Sequence, residues 1–225
     1  MSDIINYKIL KDDNLKFDNS FKLVVIGDSG VGKSSLTKKA TTNIFENEYS
    51  PTIGFEYFTF KVCIKEKNIR LQIWDTCGQE TYRSLITSFY HNSSLAILVY
   101  SINSIESFNS LENWLNDIKM NSNPVIKIFL IGNKSDLEEQ REVETNTAEE
   151  FCRNQGINLF MEASAKTGFN TEKIFVDAAN ILLDEYEKIM SIRNLGIKDE
   201  NDSYILEQDG ETDVNSRRIT KKKCC

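Results

Sequence analysis

No stretch of this 225-residue sequence reaches the roughly 18 consecutive apolar residues that a membrane-spanning helix needs. The opening MSDIINYKILKDDNLKFDNS also lacks the apolar centre of a signal peptide. The chain is therefore expected in the cytosol. Histidine occurs once, at His91, and Cys63, Cys77 and Cys152 have no metal-ligand spacing among them, so neither a zinc centre nor a disulfide framework is expected. Cys63 in a strand pattern and Cys152 in a helical one read as small apolar packing residues, and His91 as a surface residue. Excess positive charge is missing too: the net charge of -7 argues against a general nucleic-acid binder. Basic residues concentrate only at the extreme C-terminus, and there is no internal repeat.

What the sequence does have, from Phe21 onward, is an alternation of strand-like and helix-like runs. FKLVVI, FEYFTFKVCI, IRLQIWD, LAILVYSI, VIKIFLIG and INLFMEAS read as strands, with KEKN as a short link between the second and third. GKSSLTKKA, SIESFNSLENWLNDIKM, TAEEFCRNQG and TEKIFVDAANILLDEYEKIM read as helices. In the last, Ile174, Phe175, Ala178, Ile181 and Leu182 recur at helical spacing, an apolar stripe for packing on a sheet. Continuous apolar runs such as AILVY and IKIFLI suit strands covered on both faces. The expected fold is α/β, a three-layer sandwich with a mainly parallel sheet between helices.

After about residue 190 the composition changes. Residues 199–213 are acid-rich and poor in large apolar side chains, and the chain ends RRITKKKCC. Such a segment cannot bury enough surface to offset its ordering entropy and is expected to be disordered. The expected division is an N-terminal extension over 1–20, one folded domain over 21–190 and a tail over 191–225.

Directly after FKLVVI comes GDSGVGKS, with the spacing Gly, four residues, Gly, Lys, Ser. Glycines let a backbone turn tightly and bring its N–H groups against phosphate oxygens, and a helix starting near Lys33 adds the positive end of its dipole. Ser29, Gly30, Val31, Gly32, Lys33, Ser34 and Ser35 thus form a candidate phosphate cradle. Lys33 is placed to reach the β- and γ-phosphates and the Ser34 hydroxyl to ligate Mg²⁺. This motif alone indicates a nucleoside triphosphate and leaves the base open.

The base is indicated by NKSD, Asn133 to Asp136, which follows VIKIFLIG and so emerges at the sheet edge where open α/β folds bind ligands. With Asn133 and Lys134 beside it, the Asp136 carboxylate can accept from guanine N1–H and its 2-amino group. Adenine offers neither donor and would leave the carboxylate unpaired, a mismatch of the kind that discriminates by roughly 10⁴ to 10⁵. In EASAKTG, Ser164, Ala165 and Lys166 stand at another strand end, positioned to offer a backbone N–H to guanine O6. Between these, WDTCGQE ends a strand with Asp75, whose carboxylate can hold Mg²⁺ through water, then Gly78, whose N–H can meet the γ-phosphate, then Gln79. YSPTIG carries Thr52, a hydroxyl to complete the metal shell.

Taken in order, GDSGVGKS, TIG, WDTCGQE, NKSD and SAK resemble the Ras superfamily of small GTPases over about Phe21 to Met190. Within it, IGFEY, RLQIWDTCGQETYRSL, LIGNKSDLEEQREV, EASAKTG and the terminal Cys224-Cys225 look most like the Rab family. The resemblance implies a P-loop sandwich with a six-stranded sheet, one strand antiparallel, binding GTP or GDP with Mg²⁺. It implies slow hydrolysis in which Gln79 orients the attacking water, and a switch role in vesicle traffic. It further implies that Phe45 packs on the guanine and that Tyr57, Trp74 and Phe89 form an effector-reading surface; the alternative for that trio is sheet-covering core. Expected partners are an exchange factor, a GTPase-activating protein, a GDP-dissociation inhibitor, an escort protein with its prenyltransferase, and effectors. The folded domain is expected to be monomeric and to contact no nucleic acid.

The ending Cys224-Cys225 lacks the C-a-a-X pattern but resembles a Rab terminus that takes two geranylgeranyl groups. Two chains, or one with a basic patch such as Lys221 to Lys223, anchor stably, so the expected location is the cytoplasmic face of an intracellular membrane, exchanging with the cytosol. Ser29 stands where Ras proper has glycine, Cys77 where alanine is usual, Thr81 where a basic residue is common, and His91-Asn92 where Rabs often have Arg-Gly. These departures bear on partner identity. Three other readings stay open: a guanine-nucleotide scaffold with little turnover, which the presence of Gln79 disfavours, a member of another Ras-superfamily branch, and a P-loop kinase or ATPase, which NKSD and SAK oppose.

Overall fold

The computed structural model describes residues 5–12, 15–46, 52, 54–78 and 89–194. Strand β1 (Tyr7–Ile9) precedes β2 (Asn19–Ile26) and helix α1 (Lys33–Thr42). Next come the hairpin of β3 (Phe55–Ile64) and β4 (Lys67–Thr76), then β5 (Leu95–Ser101) and two consecutive helices, α2 (Ile105–Asn109) and α3 (Leu111–Asn121). Strand β6 (Lys127–Asn133) leads through a 3-10 turn, Ser135–Gln140, to α4 (Thr145–Gln155), β7 (Leu159–Glu162) and the long α5 (Thr171–Asn194).

The strands form one sheet in the order β1-β3-β4-β2-β5-β6-β7. β2 pairs in parallel with β4 and β5, β5 with β6, and β6 with β7. β3 runs antiparallel to β4, and β1 antiparallel to β3, so β3 is the single reversed strand. All six strands expected from the sequence are there, and the N-terminal extension adds a seventh. Its register is Tyr7 to Ile64, Lys8 to Cys63 and Ile9 to Val62, and the Tyr7 hydroxyl donates to Glu172 at 2.9 Å in the first turn of α5. Three residues are too short to show a period of two, so sequence pattern alone did not mark this strand.

Alternation along β2 divides the core in two. Leu23 and Val25 face a layer built from Leu36 of α1 and Ile174, Phe175, Ala178 and Leu182 of α5. Val24 and Ile26 face Leu111, Trp114 and Ile118 of α3 with Ala148 and Cys152 of α4. Each of these four β2 side chains has no exposed surface, and burial of such a side chain stabilises by roughly 1.5–3 kcal/mol. The segment expected as one helix over 104–120 is divided at Ser110. Its first turn is capped by the Ser104 hydroxyl, which accepts the Ser107 N–H at 3.2 Å. The β3–β4 link is a two-residue turn in which Lys65 and Glu66 both have positive φ, 50° and 63°, the handedness that matches strand twist. It lets β4 begin two residues earlier than the sequence pattern indicated.

Candidate functional site

The carboxyl ends of β2, β4 and β6, with the loop after β7, open on one edge of the sheet and surround a cleft of about 780 Å³. From the first loop and the start of α1, Ser29, Gly30, Gly32, Lys33, Ser34 and Ser35 line it. Phe45, Thr52 and Gly78 line it as well, and Asn133, Lys134, Asp136, Ala165 and Lys166 close the far end. Three expected residues stand behind the wall: Val31 turns its side chain into the core, Ser164 is buried beneath Asp136, and Asp75 is buried behind Ser34.

At one end the cleft is built for an anion. α1 starts at Lys33 after Gly32, whose φ of 92° is left-handed and whose N-cap position carries no side-chain hydrogen bond, so the first N–H groups of the helix are left for a ligand. A Cβ on Gly32 would come within 2.4 Å of the Asn133 amide nitrogen, so a larger residue would have to displace that side chain and also adopt a strained positive φ. The Lys33 ammonium donates to the carbonyls of Gly27 and Asp28, both at 2.8 Å, which curls the loop around it. Burial pushes its pKa down to about 8 against the opposing attraction of Asp75 and Asp28. A cation held partly desolvated in this way is poised for an incoming negative charge.

Beside it, Asp75 at the end of β4 is fully buried, and burial pushes its carboxyl up to about 7 against the Ser34 hydrogen bond and the Lys33 charge. One carboxylate oxygen accepts from the Ser34 hydroxyl, which lies 2.7 Å from the Thr52 hydroxyl. The other oxygen, Oδ1, is buried with no hydrogen-bond partner. A buried unpaired carboxylate oxygen is costly. A hard divalent cation, directly or through its water, satisfies it, and the oxygen-only donor set of Ser34, Thr52 and Asp75 fits such an ion. Among the described residues no three His, Cys, Asp or Glu side chains converge, so here the donors are hydroxyls around a single carboxylate.

At the opposite end three segments are sewn together. The Asn133 amide donates to the Val31 carbonyl at 2.8 Å, and its oxygen accepts the Ala165 N–H at 3.2 Å. The Ser164 hydroxyl donates to Asp136 at 2.5 Å and accepts the Thr167 N–H at 3.1 Å. Lys166 reaches the other Asp136 oxygen at 3.9 Å. Lys134 sits at a φ of 66°, half-buried, with its pKa lowered by that burial. The arrangement holds one fixed carboxylate at this end, able to accept from a flat, donor-bearing ligand edge.

An uncapped helix start with a buried lysine, a cluster of two hydroxyls on a buried carboxylate, and a second carboxylate held by Ser164 are grouped around one cleft at the carboxyl edge of the sheet. Comparison with known protein families matches the Ras family over residues 22–184. This chain belongs to the Ras family. It is a GTP-binding domain of the GTP-hydrolysing kind, and among its described residues no helix is long and apolar enough to cross a membrane.

On this Ras-family domain the trio Tyr57, Trp74 and Phe89 comes together outside the cleft, with ring centroids 5.2 Å apart for both Tyr57–Trp74 and Trp74–Phe89. Tyr57 is 48% exposed, whereas Trp74 and Phe89 are half-buried and Phe89 packs against the α3 layer of the core. The sequence reading missed its fourth member, Phe55, exposed and 4.8 Å from Phe89, and missed Lys22, whose ammonium stands 5.8 Å over Trp74. Both were legible in the two-residue alternation of β3 and β2. Also missed was Trp114, whose indole N–H donates to Asp28 at 2.7 Å, since a contact across 86 residues leaves no local signal. Gln79, Thr81, Cys224 and Cys225 lie outside the described residues.

Proposed function

We propose that this Ras-family protein is a Rab-like switch: it binds GTP with Mg²⁺, hydrolyses it slowly, and recruits effectors to a membrane while the triphosphate lasts. The observation that carries the reading is the placement of Lys33 and the Asp75–Ser34–Thr52 group at one end of a single cleft and Asp136 with Ser164 at the other. On this reading the phosphate chain lies at the first end and the purine at the other. The Lys33 ammonium and the first N–H groups of α1 bind the β- and γ-phosphates, and Asp136 accepts from the guanine edge while the Ala165 loop faces O6. Phe45, lining the cleft, covers the base.

Ser34, Thr52 and Asp75 would hold Mg²⁺, which when bound neutralises charge on the phosphate oxygens. Thr52 and Gly78 tether their segments to the terminal phosphate, so its loss releases both. Gln79 orients the attacking water. No arginine near Thr52 matches an internal finger, so a GTPase-activating protein is expected to accelerate hydrolysis, and an exchange factor to reload the site. Rab identity is supported by IGFEY, RLQIWDTCGQETYRSL and the partly exposed aromatic group. Membrane anchoring is supported by Cys224-Cys225 and the adjoining lysines, which also imply a GDP-dissociation inhibitor and an escort protein.

The test is displacement of a fluorescent guanine nucleotide by GDP or ADP, followed by single-turnover GTP hydrolysis. GDP is expected to compete at least a thousandfold better than ADP. Wild type is expected to hydrolyse slowly and Gln79→Leu more slowly still. Equal competition, or a Gln79→Leu variant as fast as wild type, contradicts the reading.

A further inference from the structure

Outside the cleft, one ion pair is built more completely than any surface bridge requires. Arg141, at the end of the 3-10 turn that begins beside Asp136, uses all five guanidinium N–H groups. Two go to Glu162 at 2.8 Å each, two to Glu138 at 2.9 and 2.6 Å, and one to the Val143 carbonyl at 2.9 Å. The Arg141 side chain is 9% exposed and Glu162 17%, whereas Glu138 is open to solvent at 67%. Glu162 in turn accepts from the Thr145 hydroxyl at 2.9 Å, and its carbonyl accepts the Asn170 amide at 2.7 Å. Glu162 is the last residue of β7, two positions before Ser164.

The turn over 135–140 and the loop over 163–166 are separate in sequence, yet Asp136 reads a base only if they keep one register. On the cleft side they touch through the Ser135 N–H to the Ala163 carbonyl at 3.0 Å and through Ser164 to Asp136. Arg141 and Glu162 join the same two segments from the outer side. A planar fork meeting a carboxylate at two points fixes angle as well as distance, which a lysine cannot do.

We propose that the Arg141–Glu162 pair is a positioning pair for guanine recognition, setting the register between the turn that carries Asp136 and the loop that carries Ser164 and Ala165. The proposal rests on Asp136 as the base reader. It adds a specificity determinant that touches no ligand. If the pair acts only on overall stability, its loss weakens binding of every nucleotide alike. If it aims Asp136, the loss falls on the ligand with more donors on its base edge.

The experiment is to measure GDP and inosine diphosphate dissociation constants for wild type, Arg141→Lys, Glu162→Gln and the double variant, with thermal melting alongside. Inosine diphosphate lacks the 2-amino donor and keeps the same phosphates, so the ratio isolates the base contact. Both mild variants are expected to lower the preference for GDP roughly tenfold, and the double variant by about as much as either single one, since the two residues act as a unit. Unchanged preference in variants of a discriminating wild type overturns the pair's role alone. A wild type that holds both nucleotides equally overturns the contact of Asp136 to the 2-amino group, and the pair's role with it, while the N1–H contact is judged by the GDP-against-ADP competition.

Discussion

The Asn133 side-chain amide donates to the Val31 carbonyl at 2.8 Å, joining the end of β6 to the phosphate loop across 102 residues of sequence. Its oxygen holds the Ala165 N–H on the other side, so one residue links the phosphate end of the cleft to the base end. Asn133→Ala leaves both backbone groups buried and unpaired, at about 1–3 kcal/mol each. Nucleotide dissociation is expected to accelerate roughly 10- to 100-fold, read by stopped-flow release of a fluorescent GDP. An unchanged rate would mean that the two ends are held independently.

Trp114→Phe keeps an aromatic ring in the α3 layer but removes the N–H that binds Asp28 together with the pyrrole half of a buried indole, so a cavity term adds to the lost hydrogen bond. A hydrogen bond to a charged group contributes about 1.5–3 kcal/mol, so melting is expected to fall by roughly 3–10 °C in a domain of this size. Asp28 also offers its carbonyl to Lys33, so nucleotide affinity is expected to weaken as well. Calorimetry and GDP titration check both effects.

Gly78 has no room for a side chain, because a Cβ there would meet the Asp28 and Ser29 backbone at 2.4 Å. Gly78→Ala pushes this segment off the phosphate loop, a displacement of the kind that costs about 1–3 kcal/mol. Affinity for a non-hydrolysable GTP analogue is expected to drop about tenfold more than affinity for GDP, since Gly78 is proposed to meet only the terminal phosphate. Equal losses for both nucleotides would remove that contact.

Tyr57→Ala and Trp74→Ala alter the aromatic surface outside the cleft. Nucleotide binding is expected to stay within about twofold of wild type, while binding of a triphosphate-specific partner falls by roughly 30-fold, the scale of an interface hot spot. Partner capture on GTP-analogue-loaded protein, with GDP-loaded protein as the control, is the measurement.

The parallel core was legible because β2, β5 and β6 are covered on both faces and therefore read as unbroken apolar runs. The cleft residues were legible because phosphate and base recognition need glycines, a lysine and a carboxylate at fixed offsets from strand ends. What stayed hidden depends on partners distant in sequence. Tyr7–Ile9 is a strand only because β3 offers a free edge. Trp114 reads as ordinary core until Asp28 is found opposite its N–H. Arg141 and Glu162 look like solvated charges until the fold brings them together with both side chains largely buried.

Hydrogen exchange on peptides covering Thr52 and Gly78, compared between GDP-bound and GTP-analogue-bound protein with Mg²⁺ present, reads the proposed switch at its two tethers. Slower exchange in both peptides with the triphosphate, and little change in β5 or α5, is the predicted result. Identical exchange in the two nucleotide states would contradict it, because the terminal phosphate would then be holding neither segment.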